Sequence, residues 1–355
     1  RDSRSTPQPT RTALPYDPCA PSPTPSPLSS MPPALPQAGQ CDTNGSADGF
    51  IFEQFNSFEK LCINSSALGL IPTIQSNYIR LITQTSQRTS IWYGTRQAIM
   101  NGFETTFTFR FASAFPHWGS ADGLAFVIQN AGTNALGGAG GGMGYDGLSK
   151  SLAVEFDIHQ NTNDNVNDPD ANHIAVQTRG ALPNSVIHTN TTDEHAYNYA
   201  KSAPFIMAVP KGQPLPILTA QIVYDAVQQS LRVYLGQNGE SPQHILTTNG
   251  VDFAGIVEEG RAWVGFTAAA GAVVYSHDVL SWSFKPLYSD VVSIYRPSDQ
   301  TFYLRYTQAG LYHERSIHLD YALSGDIPVV GDWDGDGYTN VGVYRPSSAQ
   351  FLLTT

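Results

Sequence analysis

Residues 103–111 read FETTFTFRF, with phenylalanine at 103, 107, 109 and 111. Side chains two apart on a strand share a face, so this alternation predicts a β-strand with one aromatic side turned to a core. The same strand signature recurs in DGLAFVIQ (122–129), SLAVEFDI (151–158), HIAVQT (173–178), PILTAQIVYD (216–225), SLRVYL (230–235) and VLSWSF (279–284). No segment longer than a turn or two has helical periodicity. About ten to fourteen such strands within residues 48–286 fit an all-β fold, an antiparallel two-sheet sandwich. Trp282, inside an apolar strand, is read as core.

The flanks differ in composition. Residues 1–47 hold eleven of the 24 prolines, including PSPTPSP at 21–27. This segment is read as an extended, disordered Pro/Ser/Thr-rich linker. Beyond Pro286, VVSIYRPSDQTFYLRY (291–306) is echoed by NVGVYRPSSAQFLLTT (340–355), and Tyr295 and Tyr344 set a period of 49 residues. Residues 287–355 are therefore expected to be an incomplete array of propeller-type repeats. The chain opens on Arg1 and stops inside the second copy, so a longer natural protein is expected. Cys41 and Cys62 are candidates for a disulfide tying the linker to the first strand; the alternative is three free thiols with Cys19.

Charged residues make up 14% of the chain, against about 25% in an average soluble domain. The net charge is −11, with 19 Lys plus Arg and no basic run. A nucleic-acid partner is excluded on that balance, and no apolar run is long enough to span a membrane.

Within SLAVEFDI the carboxylates Glu155 and Asp157 share one face, while Val154 and Phe156 point the other way. Two acids side by side in an apolar strand are costly unless compensated. No Lys or Arg lies between 151 and 178. The following residues supply oxygen donors, Asn161, Asp164 and Asp168, and one imidazole, His173. Hard oxygens suit Ca²⁺; carboxylates with an imidazole suit Mn²⁺ or another transition metal. A solvated polar strand face is the alternative.

The spacing E-x-D-x-x-x-N, then Asp168-Pro169, then His173, resembles the metal loop of the L-type (legume-type, concanavalin-like) lectins, which are jelly-roll sandwiches. The resemblance implies that Glu155 and His173 hold the transition metal. Asp157 and Asp168 would bridge it to Ca²⁺, which Asn161 and the His159 carbonyl complete. The Asn161–Asp168 interval is two residues longer than the common pattern, which leaves Asp164 as a substitute for Asp168. ADGLAF (121–126) resembles the family's segment with the sugar-binding Asp, here Asp122, preceded by a cis peptide. GGAGGGMGYDG (137–147) resembles its glycine-rich loop, in which Gly142, with Gly141 as the second choice, would donate a backbone N–H to a sugar hydroxyl. VGFTAAAGAVVYSHDVLSWSF (264–284) resembles the closing specificity loop, with Gly271, Ala272 and Val273 lining the site. Asn161 would also point its NH₂ at the sugar. The aromatic platform usual before that Asn is replaced by Gln160.

The resemblance thus implies a secreted, Ca²⁺-dependent glycan-binding protein with a possible homo-oligomeric state. Two rivals use the same sandwich. A jelly-roll glycoside hydrolase needs a second acid where Gln160 stands, and an amide cannot protonate a leaving oxygen. A structural adhesion module without sugar binding is the other. In the tail, GDWDGDGYTN (331–340) places Asp332, Asp334, Asp336, the Tyr338 carbonyl and Asn340 at calcium-loop spacing. With YRPS it resembles bacterial FG-GAP (integrin-like) repeats, which implies a further Ca²⁺ and an extracellular, bacterial setting.

Overall fold

The computed structural model describes residues 41–355 apart from 47, 67–69, 114–120, 163–165, 189–196, 210, 273–274, 288–291, 309–310, 332, 334–339 and 355. Nearly all of the linker, with Cys19, lies outside the described residues. Cys41 is bonded to Cys62 across a separation of 21 residues, which ties the chain before the sandwich to the Leu61–Ser65 strand.

Between Phe50 and Pro286 the described residues form seventeen strands and one five-residue helix, Phe253–Val257. Some strands escape sequence reading because they are two or three residues long, as Gln97–Ala98 and Ala208–Val209 are. Too short to display an alternation, they are set by their neighbours.

Two sheets result. The first runs Gln243–Asn249, Ser230–Gln237, Leu218–Asp225, Phe103–Ser113, Tyr275–Pro286, Tyr78–Ile82 and Thr73–Gln75. The second runs Tyr197–Ser202, His173–Thr178, Ser151–Asp157, Gly123–Gln129, Arg261–Ala269, Arg88–Tyr93 and Leu61–Ser65. Neighbours along both paths are antiparallel.

The aromatic face read from FETTFTFRF is the seam between the sheets. Phe107 meets Phe126, Phe156 and Phe266 of the opposite sheet at ring-centroid distances of 5.9, 5.7 and 4.9 Å. Burying each such ring stabilises the fold by about 1.5–3 kcal/mol. Trp282 packs on Phe266 at 4.8 Å, and its indole N–H donates to Thr105 Oγ1 at 3.0 Å.

Two adjacent polar residues on the Tyr275–Pro286 strand are handled differently. Asp278 is buried and accepts from Arg80 and Arg110 at 2.7 and 3.0 Å. His277 is buried edge-on to Phe111 at 5.1 Å, with no hydrogen-bond partner on either ring nitrogen among the described residues. Burial pushes its pKa down to about 3.

After Pro286 the chain forms two three-stranded antiparallel sheets, Val292–Arg296 with Thr301–Gln308 and Leu311–His318, and Ile327–Gly331 with Asn340–Arg345 and Gln350–Leu353. The sequence echo is a structural one. Tyr295 pairs with Phe302 and Tyr344 with Phe351, at ring distances of 4.8 and 4.9 Å. Phe302, Leu304, Leu319, Ala322, Val341 and Val343 make one small core. These small sheets do not by themselves make a propeller.

Candidate functional site

The site is built around the Ser151–Asp157 strand, third in the order of the second sheet. It lies between Gly123–Gln129 and His173–Thr178. Val154 and Phe156 enter the main core, as the alternation requires. On the other face Glu155 is flanked by Ala125 and Ala175, and Asp157 by Gly123 and His173. Small residues on either side leave room for side chains to converge on the two acids. Gly123 is needed there, because a Cβ would lie 2.7 Å from Met143 Sδ of the glycine-rich loop and 2.6 Å from Phe156 O.

The acids collect imidazoles, not ammonium or guanidinium groups. His173 Nε2 lies 3.4 Å from Glu155 Oε1. Asp157, Asp168 and His173 form one group able to chelate an ion, and Glu155, His173 and His188 a second. Asp168 reaches the cluster across the long loop, where its Oδ2 accepts the Asn161 N–H at 2.5 Å. Asp157 Oδ1 accepts the His159 N–H at 2.6 Å. The proposed substitute Asp164 lies outside the described residues.

Electrostatics make the cluster unfavourable without a cation. Burial pushes the Asp157 carboxyl well above the usual carboxylate range, and the Glu155 and Asp168 charges push it further. Burial likewise raises Asp168. Burial would raise Glu155 too, but the His173 and His188 rings outweigh it and bring it down to about 2. His173 is raised: burial opposes its charge, and Glu155 more than compensates. Glu155 Oε1, Asn161 Oδ1 and Asp168 Oδ1 are buried oxygens with no hydrogen-bond partner among the described residues. Such orphaned oxygens are rare in folded proteins. Hard oxygens with imidazole nitrogen are the donor set of a transition metal next to Ca²⁺, so the residues present fit both ions.

Beside the cluster three loops meet. The Ala121–Asp122 peptide is cis. Asp122 Oδ2 accepts the Gly271 N–H at 2.7 Å, and Asp122 O accepts from Ile158 at 3.0 Å. Burial raises the Asp122 carboxyl. Residues Gly140–Gly142 form a 3-10 turn. Gly142 gives its N–H to Ala139 O at 3.0 Å, whereas Gly141 packs so tightly on Asn161 that a Cβ would lie 2.9 Å from its Oδ1. Ala272 is exposed next to Gly271, and Val273 lies outside the described residues. The structure therefore brings together Asp122, Gly141, Asn161 and Gly271, with the acid cluster beneath Asn161.

Residues 53–280 match the family described as "Legume lectin beta-barrel domain". The chain belongs to this legume lectin family. Its lectin domain is 30% identical over 263 residues to the basic agglutinin of Psophocarpus tetragonolobus, covering 66% of this chain and 94% of that one. It is 33% identical over 177 residues to a seed lectin of Styphnolobium japonicum, a match spanning 46% of this chain and half the length of that relative. The solved basic winged bean lectin with Tn-antigen aligns with a TM-score of 0.51 at 27% identity, over 66% of this chain and 96% of that one. These relatives are lectins, binding proteins and not enzymes, and the lectin domain is of their kind.

Two residues of the lectin domain's site had no sequence signal. His188 places Nε2 3.0 Å from Glu155 Oε1, 3.3 Å from His173 Nε2 and 3.5 Å from Asp168 Oδ1. Tyr145, fully buried in the glycine-rich loop, donates its hydroxyl to Glu155 Oε2. Burial and then the Glu155 charge push its pKa well above the usual phenol range, so it stays a donor and ties that loop to the acids. In the tail, Asn340 accepts from Trp333 N–H at 3.3 Å. Asp332, Asp334, Asp336 and Tyr338 lie outside the described residues, and no ion site is drawn there.

Proposed function

We propose that residues 48–286 bind carbohydrate, as a Ca²⁺-dependent lectin. Asp122 accepts from two sugar hydroxyls, while the Gly141 N–H and the Asn161 NH₂ donate. Gly271 and Ala272, with Val273, form one wall. Gly141 is preferred over Gly142 as donor because the latter's N–H is already engaged. Asn161, its Oδ1 and the His159 carbonyl on Ca²⁺, joins the sugar site to the metals. Glu155, Asp157, Asp168 and His173 would hold the transition metal, and Asp157 and Asp168 would also serve the Ca²⁺. The ions supply positive charge to a buried acid cluster; the protein's own groups do the recognition.

One observation supports this reading: Asn161, whose N–H donates to Asp168 Oδ2, packs the side chain with the orphaned Oδ1 against Gly141 of the glycine-rich loop. A single shallow site of this type gives dissociation constants of roughly millimolar to micromolar, about −4 to −8 kcal/mol. Adhesion would then draw on multivalency, through oligomers or repeated domains. An extracellular setting fits such a role, and a Ca²⁺ loop in an FG-GAP-like tail, as in bacterial proteins, would fit it too. Among the described residues no helix is long and apolar enough to cross a membrane.

The test is a glycan array with Ca²⁺ and Mn²⁺, with and without EDTA. Chelator-sensitive retention of defined glycans is expected. Asp122→Ala removes the charged acceptor, a loss of about 2–3 kcal/mol, or roughly 30- to 150-fold in affinity. The circular dichroism spectrum should not change. Retention that survives both EDTA and Asp122→Ala contradicts the proposal. A hydrolase would instead release reducing sugar from β-glucan.

A further inference from the structure

We propose that His188 is a direct ligand of the transition metal, making a two-imidazole centre that prefers Zn²⁺ to Mn²⁺. The inference rests on the metal reading above and adds to it. The carried-over ligand set contains one imidazole, His173; the structure brings a second to the same oxygen.

The geometry is that of a coordination shell. Ligand atoms about 2.1 Å from one ion stand about 3.0 Å apart around an octahedron and about 3.4 Å apart around a tetrahedron. His188 Nε2 stands 3.0 Å from Glu155 Oε1, 3.3 Å from His173 Nε2 and 3.5 Å from Asp168 Oδ1. His173 Nε2 is 3.4 Å from the same Glu155 oxygen. The two rings are inclined at 77°, so each can direct Nε2 at a common point. Yet Glu155 Oε1 and Asp168 Oδ1 remain without hydrogen-bond partners among the described residues. Proximity without a formed hydrogen bond is what a shared cation explains.

Tautomers favour the same conclusion. His173 Nδ1 lies 2.8 Å from Asp170 O. A carbonyl only accepts, so Nδ1 carries a proton, and in the neutral ring it is Nε2 that presents the lone pair a metal needs. Nε2 faces Glu155 Oε1 and His188 Nε2, where a bound cation would take the place of a proton between them.

His188 is held in place by the fold. Its N–H donates to Val166 O at 2.8 Å, which fastens it to the metal loop in the stretch where that loop exceeds the common length. The preceding turn is pinned by Asn184, whose NH₂ reaches Ser151 Oγ at 3.1 Å and Gln177 O at 3.0 Å. The Gln177 amide stands 3.4 Å from His188 Nε2 and 3.5 Å from Nδ1. A second nitrogen donor shifts the set from one nitrogen and three carboxylates to two and three. Imidazole suits Zn²⁺ better than Mn²⁺, and Zn²⁺ stands above Mn²⁺ in intrinsic affinity.

The experiment uses the full chain, stripped with chelator and reloaded. In the Cu²⁺-loaded protein, electron spin-echo modulation counts bound imidazoles. Two are expected in the wild type and one in His188→Ala and His188→Gln. In competition, the Zn²⁺-over-Mn²⁺ preference should fall at least about tenfold in both variants. The Gln variant separates the roles: an amide can still donate to Glu155, so a hydrogen-bonding His188 would be rescued by it and a ligand would not. A one-imidazole signal in the wild type overturns the assignment even if neither variant folds, and leaves the metal site standing. Absence of any bound transition metal overturns both.

Discussion

Stripping the protein of divalent cations is expected to lower its thermal midpoint by about 5–15 °C and to abolish glycan retention, both restored by Ca²⁺ with Mn²⁺ or Zn²⁺. The size follows from linkage. An ion present at 100 to 1,000 times its dissociation constant stabilises the folded state by about 2.7–4.1 kcal/mol, and each kcal/mol moves the midpoint of a domain this large by about 2–4 °C. The direction follows from the site. Glu155, Asp157 and Asp168 are buried within reach of one another, with no Lys or Arg among their charge partners. Without a cation their repulsion and three orphaned oxygens act against folding. A control separates ion binding from general damage. Asp157→Asn should destabilise the loaded protein, because a bridging ligand is lost. In EDTA it should be neutral or stabilising, because one of three repelling acids is gone. Differential scanning fluorimetry on both proteins, with and without EDTA, reads all four corners. Equal midpoints for loaded and stripped wild type would show that the cluster holds no ion.

Much of this site was legible because strand alternation is a rigid rule. Once SLAVEFDI is a strand, Glu155 and Asp157 must share a face and Phe156 must oppose them; the structure has them so. The spacing from Asp168 to His173 likewise survives, because a short loop cannot move its ends far apart. His188 obeys no such rule. It is 15 residues beyond His173 in an irregular segment, and tertiary contacts, the bond to Val166 O and the turn pinned by Asn184, bring its ring back. Tyr145 reads as an aromatic residue in a glycine-rich loop until its hydroxyl is found on Glu155. The Gly141–Gly142 ambiguity was a matter of one residue in a loop of repeated glycines, and it turns on which N–H the local turn consumes. His277 carries no signature in the sequence; alternation alone does not say that its surroundings bury it without a partner among the described residues.

That buried imidazole sets the second large effect: acid should unfold the wild-type protein more readily than His277→Leu. Burial holds the folded-state pKa at about 3 against an ordinary value of 6.5. Above pH 6.5 the ring is neutral in both states and favours neither. Between 6.5 and 3 the unfolded chain takes up a proton that the folded chain refuses. Stability therefore falls as pH falls, by about 1.4 kcal/mol per unit and about 5 kcal/mol in all. The charged neighbours do not offset this, since Asp278 is spent on Arg80 and Arg110 and burial is the sole cause of the shift. Leucine cannot titrate and is of similar bulk. It also removes two ring nitrogens that have no partner among the described residues, so at pH 7.5 the variant should equal or exceed the wild type. Urea midpoints from pH 7.5 to 4, measured in EDTA so that metal loss does not enter, give the comparison. The wild type should lose stability faster than the variant, the gap opening below pH 6.5 and reaching about 3 kcal/mol at pH 4. Parallel curves would mean that the ring finds a proton-accepting partner or water in solution, and that its burial is not what limits the fold in acid.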